Sequence, residues 1–468
     1  MASRSGAAQP AEIGPAPTQK ELRRDIFSLV WPVTVESVLQ MSVGLVNTAM
    51  VGHLSALAIS AVGLCSRATM VGWALFQAVS TGVTVLVAQL IGSGDRMQAR
   101  TAAVQGLLFG CLSAVTLAAL FATWSTQILG VFMPEPDLLR AAVGYLRIVV
   151  LGMPAQVIMM AAGAGMRGSG NTRTPMLVAV FVNIINVIGS YGLIYGNLGL
   201  PTLGLRGAAI STVTAQWTGA IVALLALTSR DSSLGMTWRG PWHISRPVLG
   251  RMLRIGLPST GESLFWQSAQ IILTLFITGF GTKALAAHQL GMQAESLSYM
   301  PTAGFAIAAT TLVGQAAGAG KPDLGKRATR ELGLIAIIVT AFTGGLLLLL
   351  PRQIMSLLTN DAEVIALGAI YLRLMAAVQV PQQLSGVLSG SLRGRGDTRT
   401  PMIVAMAGLW GVRIPLAYVF AFRLGMGITG VWVGMTVDLL VRFALTAIRY
   451  RASEARAAYV QPATQGAR

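Results

Sequence analysis

The chain has 468 residues, 54% of them hydrophobic and only 11% charged, with a mean hydropathy of +0.66 and a formal net charge of +17. A soluble domain carries about 25% charged residues, so a water-soluble globule is excluded and lipid is the solvent that suits this surface. The basic residues are not gathered into a patch interleaved with aromatics, which excludes nucleic acid as a partner.

Residues 1–25 open with MASRSGAAQPAEIGPAPTQK, which has no apolar core and so does not read as a cleavable signal peptide; the segment is expected to be a disordered tail. Six apolar spans follow: Ile26–Val51, Leu57–Ile91, Thr101–Trp124, Leu138–Met166, Met176–Gly196 and Gly207–Thr228. Each reaches the roughly 20 residues that a helix needs to cross a hydrocarbon core. In the first span Pro32 is followed by Glu36, Gln40 and Asn47, which lie within about 40° of one another on a helical wheel and form a polar stripe. The second span carries Arg67, Trp73, Phe76 and Gln77. Cys65 and Cys111 fall in spans, where two cysteines make neither a metal-site spacing nor an expected disulfide.

A basic linker, residues 229–252, separates these spans from six more: Met252–Gly279, Ala284–Gly318, Leu332–Pro351, Val364–Leu392, Met402–Phe422 and Gly430–Ile448. The seventh span holds Pro258, Glu262, Trp266, Gln267 and Gln270; the eighth holds Gln289, Gln293, Glu295, Tyr299 and Pro301. Pro381 lies in the tenth, Trp410 and Arg413 in the eleventh, and Asp438 and Arg442 in the twelfth, before a tail at 450–468. Of the 34 Lys and Arg, 24 lie in or beside the two tails and the even-numbered loops, whereas 5 lie in the odd-numbered loops. The positive-inside rule then puts both termini in the cytoplasm of a multi-pass protein of the plasma (inner) membrane.

The two halves repeat. RGSGNTRTPM at 167–176 returns as RGRGDTRTPM at 393–402, an offset of 226 residues. At the same offset Pro32 matches Pro258, Glu36 matches Glu262, Gln89 matches Gln315, and Tyr145 and Arg147 match Tyr371 and Arg373. Residues 26–228 and 253–449 are therefore two copies of a six-helix lobe. The repeated loop is basic both times, so both copies face the same side and the halves have the same orientation. That is the parallel-repeat plan of secondary transporters, with the substrate site between the lobes. Arg167, Arg173, Arg393 and Arg399 of the loops are expected to bind helix C-terminal carbonyls or lipid phosphates. Arg147 and Arg373 are expected to serve as lobe scaffolding.

The repeated RG.G.TRTPM, the paired P…ES starts and ALAAHQLGMQAESLSYMPTAGFAIAATTLVGQAAGAG at 284–320 resemble the multidrug and toxic compound extrusion (MATE) transporters, over about residues 26–449. The resemblance implies an all-α membrane protein with twelve helices in two six-helix bundles around a V-shaped central cavity. It also implies efflux of organic cations and other amphipathic compounds in exchange for H+ or Na+. One departure concerns coupling: many bacterial members carry an Asp in the first helix, in a VDT..VG pattern, where this chain has VNTAMVG with Asn47.

An antiporter needs a group whose charge differs between two states, and ionisable groups inside a membrane are functional candidates. Glu262, Glu295 and Glu36 are the acidic candidates for ion coupling, with Asn47 as a neutral ligand; Glu295 has Arg67 as its counterpart in the first lobe, and the two are expected either to pair across the cleft or to serve each its own lobe. Asp438 and Arg442, four apart, are expected to pair within one helix. Gln40, Trp73, Gln77, Trp266, Gln267, Gln289, Gln293 and Tyr299 are candidates to line the substrate cavity, where aromatic faces suit a cation. Pro32, Pro258, Pro301 and Pro381 are candidate hinges, since an interior proline frees a backbone carbonyl. No metal or cofactor pattern is present beyond a coupling H+ or Na+; the expected partners are small organic, cationic substrates and the bilayer, and the chain is expected to act as a monomer. A lipid-linked oligosaccharide flippase shares this two-lobed plan, but it calls for several basic residues in the cavity. A prenyl transferase would need paired Asp-rich segments, and a channel a filter-like loop.

Overall fold

The computed structural model describes residues 18–197, 199–229, 234–236 and 245–465. Among the described residues, twelve long helices make up the two lobes. The first lobe comprises α1 (Gln19–Gly52), α2 (Ala56–Gly92), α3 (Arg96–Thr123), α4 (Pro136–Gly168), α5 (Arg173–Tyr195) and α6 (Gly204–Thr228). The second comprises α7 (Arg246–Thr278), α8 (Thr282–Gly318), α9 (Pro322–Leu349), α10 (Ala362–Gly394), α11 (Arg399–Arg423) and α12 (Gly427–Gln465). Ten are long and apolar enough to cross a membrane, and α7 and α8, of 33 and 37 residues, complete the set. Short helices Ser125–Gly130 and Pro351–Ser356 precede α4 and α10 at equivalent places in the repeat.

Side-chain caps fix several starts. Ser55, Asp95 and Asp361 accept from backbone amides of the first turns of α2, α3 and α10. Thr18 and Glu21 form a reciprocal capping box on α1. This cap starts α1 at Gln19, so residues 19–25 are helical rather than part of a disordered tail; residues 1–17 lie outside the described residues. Likewise α12 runs past residue 449 to Gln465, and α7 begins at Arg246, inside the expected linker; residues 230–233 and 237–244 of that linker lie outside the described residues.

Each lobe has its own core, with Val83, Leu86, Ala103 and Met166 in the first and Leu273, Tyr371, Leu372 and Trp432 in the second. Large apolar side chains such as Ile338 and Phe342 point outward, about 70% exposed, as a lipid-facing surface requires. The lobes are tied by an exchange of helices. The first half of α1 (Leu22, Ile26, Leu29, Val30) packs on Phe305, Ala308 and Ala309 of α8 and on Leu332 of α9, and α7 packs on α2. At the ends that carry the two repeated loops, the contacts are reciprocal. Gln89 Nε2 of α2 donates to the Gly394 carbonyl at 2.9 Å, and Gln315 Nε2 of α8 donates to the Gly168 carbonyl at 3.1 Å. Gly92 and Gly318 lie against the backbones of Gln315 and Gln89, so close that a Cβ at either would collide with a carbonyl.

Candidate functional site

Away from that junction the lobes enclose cavities. One of about 390 Å³ lies between them, lined by Trp73 and Gln77 of α2, Glu262, Trp266 and Gln267 of α7, Arg393 and Arg442. A second, about 350 Å³, is lined by Trp73, Phe76, Gln156, Gln216 and Gln267. A third, about 260 Å³, enters the second lobe and reaches Trp266, Gln270, Glu295, Tyr299, Tyr371, Arg413 and Arg442. The candidates Trp73, Gln77, Trp266, Gln267 and Tyr299 therefore line these cavities. Gln40, Gln289 and Gln293 are not among the lining residues: Gln40 and Gln289 are exposed, and Gln40 Nε2 donates to Glu36 Oε1 at 3.4 Å. Their polarity on the helical wheel did not specify which flank of the helix faces the other lobe.

The acidic candidates separate by partner. Glu36 takes Arg167 Nη1 at 3.4 Å and Glu262 takes Arg393 Nη2 at 2.6 Å, both pairs 131 residues apart in sequence. The repeated-loop arginines Arg167 and Arg393 thus neutralise the repeated glutamates, where a role on helix carbonyls or lipid phosphates had been expected. Asp438 of α12 is fully buried and accepts from two guanidiniums: Arg442 of the same helix, as expected, and Arg413 of α11, whose Nε and Nη2 lie 2.8 Å from Oδ2.

Glu295 differs. It is 6% exposed and accepts from Tyr371 Oη and, at 3.3 Å, from Gln379 Nε2. Among the described residues it makes no salt bridge, and Arg67 is exposed rather than paired with it. Tyr371 is itself held edge-on between His288 and Trp432, with centroids at 5.7 and 5.4 Å, and Trp432 Nε1 donates to His288 Nδ1 at 3.4 Å. Tyr371, Gln379 and His288 were not singled out from the sequence as site residues. Asn47 donates to Asn186 Oδ1 at 2.6 Å, and Asn186 to Thr212 Oγ1 at 3.2 Å, a neutral network inside the first lobe. Asn47 Oδ1 is buried with no hydrogen-bond partner.

Among the hinge candidates, Pro32, Pro258 and Pro381 lie inside continuous α1, α7 and α10. Pro301 falls within α8, and its side chain lies outside the described residues. Irregular backbone appears elsewhere: α11 is π-helical at Ala407–Arg413 and Val419–Arg423, the kind of distortion that clusters at functional sites. The first stretch ends on Arg413. Among the described residues no cluster of His, Cys, Asp and Glu could hold a metal ion.

Comparison with known proteins places this geometry. The MatE family model matches residues 32–192 and 258–419, one match per lobe. A probable multidrug resistance protein NorM of Thermotoga maritima is 30% identical over 91% of both chains. Multidrug resistance protein PmpM of Pseudomonas aeruginosa is 28% identical over 92% of both. Among solved structures, a MATE protein in the bent conformation and an outward-facing multidrug resistance MATE family transporter of the MOP superfamily each superpose with a TM-score of 0.87 at 22% identity. Each covers 94% of this chain and 97% of the other. Both lobes, their repeat and their twelve helices are accounted for: the chain belongs to the MatE family.

Proposed function

We propose that the protein is a secondary active exporter of amphipathic drugs or metabolites, driven by proton entry. The observation that carries the proton assignment is the environment of Glu295. Of the four carboxylates of the twelve helices that the sequence offered for coupling or pairing, Glu36, Glu262 and Asp438 hold arginines, whereas Glu295 has neutral donors. A carboxylate hydrogen-bonded to neutral groups can take or release a proton without breaking an ion pair, and it lies on the wall of a cavity that a substrate can enter. Asn47 cannot release a proton, and its Asn186–Thr212 network serves the first lobe as a neutral support. The names of the curated relatives, multidrug resistance proteins, support the substrate reading.

The exchange follows the geometry. In this conformation the lobes are joined at the end with the repeated loops, which the distribution of Lys and Arg assigns to the cytoplasm of the plasma membrane. A proton arriving from the opposite side reaches Glu295. The lobes then rearrange around the interior prolines of α1, α7 and α10, the joint opens, and substrate from the cytoplasm enters as the proton leaves. The chain works as a monomer with no cofactor but the coupling ion.

The test uses purified protein in liposomes loaded with a fluorescent amphipathic amine. A pH gradient alone is expected to drive dye movement, a sodium gradient alone is not, and Glu295→Gln is expected to lower the proton-driven rate at least tenfold. Drive by sodium alone, or full proton-driven activity in Glu295→Gln, would sink the proton assignment; movement under neither gradient would sink the exporter reading itself.

A further inference from the structure

The end of the molecule that carries the repeated loops holds a cavity that transport does not use. Of the two arginines of the first loop, Arg167 is taken by Glu36, whereas Arg173 makes no ion pair among the described residues. Arg173 stands instead on a cavity of about 690 Å³ between this loop and the start of α1, whose lining includes Thr172 and, from α1, Glu21, Arg24, Asp25 and Ser28. Positions 21, 24, 25 and 28 share one face of a helix. The opposite face, with Leu22, Ile26 and Leu29, is buried against α8 and α9, and Arg23 Nε donates to Glu331 of α9 at 2.8 Å. Thr172 Oγ1 donates to the Ser28 carbonyl at 3.2 Å. The cavity therefore lies on a seam, between a helix end anchored on the second lobe and a loop of the first.

Its charges are balanced but not satisfied. Two arginines face two carboxylates, so the lining is neutral as a whole. Glu21 is engaged by Thr18, whereas Arg24 and the Asp25 carboxylate, like Arg173, have no ion-pair partner among the described residues. Free groups of both signs around one cavity suit a ligand that carries both signs. Next to them the surface turns apolar. Phe27 and Trp31 lie within about 60° of Arg24 on the helical wheel, roughly 5 and 10 Å further along α1. They are 68% and 57% exposed and stack on each other, with ring centroids at 6.5 Å. On α5, exposed Leu177 and Phe181 follow Arg173 in the same way. Each helix thus sets a charged end above an apolar stripe, and α1 and α5 pack side by side. The repeat does not copy this arrangement: at the offset of 226, Glu21, Arg24 and Asp25 correspond to Pro247, Gly250 and Arg251.

We propose that this cavity is a binding site for phosphatidylethanolamine. The phosphate sits between Arg24 and Arg173, the primary ammonium donates to Asp25, and the acyl chains lie over the apolar stripes of α1 and α5. A choline headgroup has no N–H to give Asp25, and a glycerol headgroup leaves the carboxylates facing an uncompensated anion. Charge-assisted hydrogen bonds of this kind are worth about tenfold or more in affinity.

The experiment titrates delipidated full-length protein in detergent with phosphatidylethanolamine, phosphatidylcholine and phosphatidylglycerol of identical chains, reading the first bound lipid by native mass spectrometry. Phosphatidylethanolamine is expected to bind about tenfold more tightly than the other two. Asp25→Asn is expected to bring it to the level of phosphatidylcholine while leaving phosphatidylcholine unchanged, which also reports an intact fold. Arg173→Gln is expected to weaken both lipids about tenfold, since both carry the phosphate; Arg399→Gln, at the equivalent place of the second lobe, is expected to leave the preference as it is. If Arg173→Gln does not fold, Asp25→Asn decides the matter. Glycerophosphoethanolamine and inorganic phosphate, which lack the chains, are expected to compete about a hundredfold more weakly than the lipid. Equal binding of the three lipids, tighter binding of phosphatidylglycerol, a preference that survives Asp25→Asn, or an Arg399→Gln effect as large as that of Arg173→Gln would overturn the proposal. Competition by either chainless compound as strong as by the lipid would overturn it too, in favour of a soluble phosphate.

Discussion

At the scale of single residues, the buried charges of the second lobe make opposite demands. Asp438 is the anion on which Arg413 and Arg442 both depend. Asp438→Asn removes it and leaves two buried guanidiniums facing each other, and breaking a buried pair costs about 3–5 kcal/mol. The expected result is a large fall in the thermal midpoint of the purified protein, with loss of folded yield; a midpoint within a degree or two of wild type would mean that water or lipid already supplies the counter-charge. Gly408→Ala should act on the same group by steric means, since its methyl has Arg442 Cγ and Asp438 Oδ1 in its place. Overpacking of this kind costs about 1–3 kcal/mol, so its midpoint should fall less than that of Asp438→Asn. Glu295→Gln carries the contrary expectation. The amide keeps the volume and still accepts from Tyr371, so stability should hold while proton coupling is lost.

At the scale of helices, the reciprocal contacts of α2 and α8 decide which end of the molecule is shut. Gln89 and Gln315 each close a carbonyl at the end of a helix in the other lobe. A net hydrogen bond is worth about 1 kcal/mol, so Gln89→Ala with Gln315→Ala should shift the balance toward the conformation open at this end by about tenfold or more. A cysteine placed at Ser259, which is 9% exposed here, should then react faster with a thiol reagent supplied from the side of the repeated loops; an unchanged rate would show that the glutamines do not hold the joint. This is also the scale at which the sequence stops being legible. The offset of 226 exposed both glutamines and the two Pro–Glu starts, because a repeat is a property of the string. The exchange of α1 and α7 between lobes was not readable, because periodicity tells which face is apolar and not which helix covers it. For the same reason the stripe of Glu36, Gln40 and Asn47 was visible while its division was not: Glu36 went to Arg167 and Asn47 to Asn186. The partner of Asp438 on its own helix could be read from spacing, whereas Arg413 reaches it from another helix through π-helical backbone that no pattern announced.

At the scale of the whole molecule, export requires that the end now closed should open, and this can be tested by preventing it. Ala88 of α2 and Gly314 of α8 meet across the lobes, with a Cβ at Gly314 2.9 Å from that of Ala88. A disulfide spans about 3.5–4.5 Å between Cβ atoms, so a cysteine pair at 88 and 314 needs the two helices to part by only about 0.6–0.9 Å to form the bond. It should form readily in this conformation and not in one where the lobes have parted. The native Cys65 and Cys111 are free thiols, one buried and one partly so, and would be replaced first. Oxidation of the pair is expected to abolish proton-driven dye movement in liposomes, and reduction to restore it. Binding of the amphipathic amine from the opposite side should survive oxidation, because Glu295 lies away from the cross-link in a cavity that the second lobe builds by itself. Transport that continued unchanged with the bond in place would mean that α2 and α8 stay together throughout the cycle. Access would then have to come from bending of α1 and α7 at Pro32 and Pro258, within lobes that never separate.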